Sequence, residues 1–188
     1  MSGLDGKKGL VRVGALLTTF FCLPGPPAAS ETGLPVVGRD RLPLNVHIAD
    51  EARAEVVRRA VLNAHDALGA PRCQGIFSAF SDASGRPLQQ TLDRLGVTGQ
   101  DYLGLVLFYD GSELPACRTT GGRTVFAATT RGSRAVLVCG ARFARELRMR
   151  PVEGAAVIIH ETLHSLGLGE NPPTSEAITW RVMKQCGY

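Results

Sequence analysis

Aromatic residues make up 6% of the 188-residue chain, and tryptophan occurs once. An interior with so few rings has to be filled by Ala, Val, Leu and Ile, which suits helices packed on a sheet. No C-x-x-C pair occurs, and the five cysteines are widely spaced, which argues against a structural cysteine-ligated zinc site. No basic stripe interleaved with aromatics is present, so the composition offers nothing for nucleic acid. Internal repeats and low-complexity tracts are also missing. Past the first thirty residues no apolar run is long enough to span a bilayer: the stretch around Ala155 to Ile159 is soon interrupted by charge.

The first residues read differently from the rest. Lys7, Lys8 and Arg12 precede a short apolar stretch from Val13 to Leu23, which Pro24-Gly25-Pro26-Pro27 breaks. Ala28-Ala29-Ser30 then offers small residues for cleavage. We read residues 1–29 as a signal peptide for a secreted or periplasmic protein, with no membrane association after its removal. The formal charge then falls from +4 to +2, an unremarkable balance. Cys22 is lost with the signal, and Cys73, Cys117, Cys139 and Cys186 remain. An even set in an exported chain predicts two disulfides, in any of three connectivities.

Residues 30–43, with Gly33, Pro35, Gly38 and Pro43, read as an irregular leader before a domain over residues 44–188. Leu44 to Ala49 alternates as a strand does, and Asp50 can cap the helix that follows. Ala52, Val56, Val57, Ala60, Val61, Ala64 and Leu68 recur at helical spacing, and Gly69 ends the run. Ile76 to Phe80 predicts a short strand, Asp82 to Gly85 a turn, Leu88 to Leu95 a helix and Tyr102 to Tyr109 a strand. Val125 to Thr129 and Ala135 to Cys139 flank Arg131-Gly132-Ser133 as a hairpin. Arg142, Arg145, Arg148 and Arg150 read as a solvated helix face. Pro151 suits the first turn of a helix whose residues 152–166 are apolar nearly all round, and Gly167 stops it. Thr174 or Ser175 can cap a last helix reaching Lys184. This order predicts an α+β fold, with one twisted sheet and helices packed on it.

His160-Glu161-Thr162-Leu163-His164 lies on that apolar helix. Residues four apart point the same way, so both imidazoles can reach one metal ion. Glu161 is rotated about a third of a turn from His160. It falls beside the ion, where it can take a proton from an activated water and later return one to a leaving amine. Two histidines and a glutamate on an otherwise apolar helix are costly without such a task. The plainer alternative is a hydrogen-bonded polar cluster in the core. His47, on a strand face, and His65, at a helix boundary, read as ordinary.

The run from His160 through Gly167 to Glu170 resembles the metzincin clan of zinc peptidases. The resemblance implies a zincin-like domain with an active-site helix and a C-terminal helix, Zn2+ as cofactor and a peptide or protein substrate. It implies that Gly167 turns the chain out of the helix and that the third ligand stands at the place of Glu170. The clan has His or Asp there, so Glu170 is a departure. A second clan, the gluzincins, takes its third ligand from a later helix, which makes Glu176 the competitor. The resemblance also implies that the Thr124 to Cys139 hairpin presents an edge to substrate. It implies a methionine turn as well, but Met183 falls in a helix and does not take that role. Tyr188, Tyr109 and an arginine are open as oxyanion stabilisers. Three functions follow as expectations: a peptidase, a zinc amidohydrolase acting on peptidoglycan or another amide, and a zincin-fold binding protein without catalysis.

Overall fold

The computed structural model describes residue 42, residues 45–118 and residues 124–188. The expected signal peptide and, apart from Leu42, the expected leader lie outside the described residues.

The chain opens with strand β1 (Val46–His47) and helix α1 (Glu51–Gly69). The Asp50 carboxylate accepts from the Arg53 amide and caps α1, as the sequence predicts. His65 is inside this helix and buried, with Gln100 donating to its carbonyl at 3.1 Å. Short helix α2 (Pro71–Gln74) follows, then a 3-10 turn at Gly75–Phe77. That turn replaces the strand predicted over Ile76 to Phe80. Ile76 and Phe77 are both fully buried, whereas adjacent strand residues would face opposite sides.

Helix α3 (Leu88–Leu95) matches its predicted bounds. Helix α4 (Gly99–Leu103) occupies the start of the strand predicted from Tyr102. Thr98 and Asp101 form a reciprocal capping box there, which nucleates a helical turn. Strand β2 (Leu107–Asp110) begins only afterwards. Helix α5 (Pro115–Arg118) leads toward strands β3 (Ala127–Thr129) and β4 (Ala135–Val138), the predicted hairpin. Helices α6 (Gly140–Leu147), α7 (Pro151–Ser165) and α8 (Ser175–Cys186) complete the described chain. Pro151 starts α7, and the Thr174 hydroxyl caps α8.

The fold is α+β, with one mixed sheet in the order β1-β2-β4-β3. β1, β2 and β4 are parallel, with Val46 opposite Phe108 and Phe108 opposite Val136. β3 runs antiparallel to β4 and forms an edge. Val57, Val61 and Leu68 of α1 share one buried core with Phe108, Val136 and Ile159. Disulfides join Cys73 to Cys186 and Cys117 to Cys139, which settles the connectivity that the sequence left open.

The arginine cluster divides. Arg145, Arg148 and Arg150 are exposed, but Arg142 is 9% exposed, which corrects the reading of a wholly solvated face. Its guanidinium donates to the Val125 carbonyl at 2.9 Å and so holds the chain leading into β3. Among the described residues no helix is long and apolar enough to cross a membrane.

Candidate metal centre

α7 is the floor of the site. Its apolar faces are buried, so its polar residues are carried inward with them: His160, Glu161 and His164 are 5%, 6% and 7% exposed. After α7, Gly167 adopts φ +111°, a conformation that favours glycine, and turns the chain back. Leu168 then pairs with Asp82 in a short antiparallel bridge. This return brings Glu170 against the two histidines.

His160 Nε2 and His164 Nε2 are 2.9 Å apart. Glu170 Oε1 lies 3.6 Å from the first and 3.3 Å from the second. Ligand atoms about 2.0–2.1 Å from one tetrahedral ion lie about 3.3 Å from each other, so this triangle is the size that a metal site needs. Within the described residues these three form the one group of His, Cys, Asp or Glu side chains placed to share a metal ion. Glu176 also lines the cleft but is not in that group.

The outer nitrogens are engaged. His164 Nδ1 lies 2.9 Å from the Leu168 carbonyl. A carbonyl only accepts, so Nδ1 carries a proton and Nε2 is the nitrogen turned toward the cluster. His160 Nδ1 lies 2.9 Å from the Thr179 hydroxyl on α8. Nothing in the sequence marked Thr179 or the Leu168 carbonyl, because each meets its histidine only through the path of the chain after α7.

Glu161 sits beside the triangle, and its Oε2 is buried without a hydrogen-bond partner among the described residues. Burial is the largest influence on this carboxyl and raises its pKa, against the Thr129 hydroxyl and His164, which lower it. The donor set of two imidazoles and a carboxylate fits a divalent metal.

The site opens into a cleft of about 820 Å³. β3 and the residues before it, from Thr124 to Thr129, line one side, and the α8 residues Glu176, Thr179, Trp180 and Met183 line another. The lining also includes the apolar Val125, Ala127, Leu147, Ala156, Val157 and Met183, with Glu153 in the first turn of α7. Of the groups considered as oxyanion stabilisers, the tyrosines are not in the cleft lining. Tyr109 stacks on His47 at 5.1 Å between ring centroids, and Tyr188 is held beside Arg72 and Asp66. Among the described residues, the arginine that lines the cleft is Arg131.

The chain matches no known family model, no curated protein and no solved structure.

Proposed function

We propose that the protein is an exported zinc-dependent peptidase, similar in its motif to the metzincins, with zinc held by His160, His164 and Glu170 and with Glu161 as general base. The observation that supports this best is the convergence of two imidazole nitrogens and one carboxylate oxygen beside Glu161, whose buried Oε2 has no hydrogen-bond partner among the described residues. The edge strand along the cleft adds to it. β3 can offer backbone donors and acceptors to an extended peptide. The two disulfides fit an oxidising compartment.

When bound, zinc supplies Lewis acidity, which brings the pKa of water toward neutrality and draws electrons from a carbonyl. Glu161 accepts the proton of the attacking water through Oε2. Oxygen adds to the carbonyl carbon, the C–N bond breaks, and the Glu161 carboxylic acid delivers its proton to the leaving nitrogen. Thr179 and the Leu168 carbonyl keep both imidazoles aimed at the ion throughout.

The experiment is hydrolysis of unfolded casein and, separately, of peptidoglycan by the purified chain, with and without a chelator. Chelator-sensitive cleavage of casein, restored by zinc, is expected. Cleavage of the cell-wall substrate alone would move the assignment to an amidohydrolase. Zinc binding without hydrolysis of either would leave a binding protein.

A further inference from the structure

Arg131 stands in the turn between β3 and β4 and lines the cleft with His164, Gly169 and Glu170. Its backbone is held on both sides. Gly132 N–H donates to the His164 carbonyl at 3.0 Å, and Ser133 N–H donates to the Thr130 carbonyl at 2.8 Å. Its side chain lies across Gly169 so closely that a Cβ there would come within 2.5 Å of Nη2 and 2.9 Å of Cζ. Arg58, Arg86, Arg118 and Arg150 each hold a carboxylate. The Arg131 guanidinium is exposed and, among the described residues, enters no ion pair and no hydrogen bond.

A guanidinium is planar, permanently charged and forked, and its geometry matches a carboxylate. Four described carboxylates line the same cleft: Glu153 near the start of α7, Glu161 beside the metal group, Glu170 and Glu176. Glu170 belongs to the metal group, and Glu176 stands on α8 with interactions of its own. The order along α7 fixes where Arg131 works. Ala156 and Val157 come first, then His160 and His164, and then the return past Gly169. Ala156 and Val157, with Glu153 before them, therefore lie on one side of the metal centre and Arg131 on the other.

We infer that Arg131 is a specificity-determining residue that binds the carboxylate of an acidic substrate side chain, across the metal centre from Ala156 and Val157. The inference rests on the reading of the site as a peptidase. It narrows the substrate class to peptides with an acidic residue on one side of the cleaved bond and an apolar residue on the other.

The test uses the zinc-loaded full chain and internally quenched peptides with a fixed Leu. A single Glu, Gln or Lys is scanned through the positions on both sides of the cleaved bond. At one position, on the side away from Leu, Glu is expected to exceed Gln in kcat/KM by roughly ten- to a hundredfold. The preference should weaken as salt is raised. Arg131→Ala should bring the Glu-to-Gln ratio close to one, and Arg131→Glu should turn the preference toward Lys. An unchanged ratio in Arg131→Ala overturns the inference, whatever happens to the absolute rates, as does a wild type that does not distinguish Glu from Gln. If the wild type cleaves none of these peptides, the peptidase reading has failed. Calorimetry of the Glu and Gln peptides on Glu161→Gln, with and without Arg131→Ala, then decides. Tighter binding of the Glu peptide that disappears without Arg131 upholds carboxylate recognition, and equal binding overturns it.

Discussion

His164 Nδ1 donates to the Leu168 carbonyl across 2.9 Å, so the helix that carries the motif is tied to the loop that carries Glu170. The loop reaches that carbonyl only because Gly167 turns back at φ +111°. A Cβ at this position would be strained in that conformation and would sit 3.4 Å from the Asp82 Cβ. Gly167→Ala is therefore expected to cost about 1–3 kcal/mol of stability. It should also weaken zinc binding by misplacing both Leu168 and Glu170. Chemical denaturation and a competitive zinc chelator measure the two effects. Unaltered zinc affinity would show that the return of the chain does not set the ligand geometry.

Glu170 and Glu176 compete for one role, and the positions of their carboxylates separate them. Glu170→Ala should reduce zinc affinity strongly, because it removes one of three converging ligand atoms. Glu176→Ala should reduce it much less. Metal content after dialysis against a mild chelator checks the order, and the reverse order would favour a ligand from α8.

Tyr188 offers a pH test away from the site. Burial pushes its hydroxyl up to about 12, and that oxygen has no hydrogen-bond partner among the described residues. The folded state therefore resists ionisation that the unfolded chain accepts near pH 10. Its contribution to stability is fully present below pH 10 and is lost as pH rises through the folded value. Tyr188→Phe should leave stability at pH 7 equal or slightly higher. It should also flatten the fall between about pH 10 and 12. Urea midpoints across that range measure the difference, and parallel curves for the two proteins would contradict it.

The Cys73–Cys186 disulfide closes a sequence separation of 113 residues and anchors α8, which carries Thr179. Replacing both cysteines by Ala should cost about 2–5 kcal/mol. In the wild type no cysteine of the described chain should react with a thiol reagent until reductant is added. Labelling followed by mass spectrometry checks the pairing, and denaturation of the double variant checks the magnitude.

What the sequence made legible was local. Asp50, Pro151 and Thr174 mark helix starts through groups within three residues of themselves, and the β3–β4 hairpin is marked by Gly132. His160, Glu161 and His164 were legible for the same reason, because one helix fixes their spacing. Elements decided by distant partners were not. Ile76 and Phe77 form a 3-10 turn because both find room in the core. Arg142 is buried because the Val125 carbonyl waits for it. Thr179 reaches His160 from another helix, 19 residues further on. Spacing alone left Glu170 and Glu176 both open, since the choice depends on the path of the loop between α7 and α8.

Glu161 is the residue on which the whole reading turns. Gln keeps its size and cannot take the water's proton. The decisive measurement is zinc content and casein turnover on the same preparations of wild type and Glu161→Gln. The expected result is about one zinc per chain in both proteins, consistent with one three-ligand site. Turnover by the variant should fall on the order of a hundred- to ten-thousandfold. Full activity in Glu161→Gln would contradict the assignment of the base, and loss of zinc together with activity would make Glu161 a ligand or a structural residue.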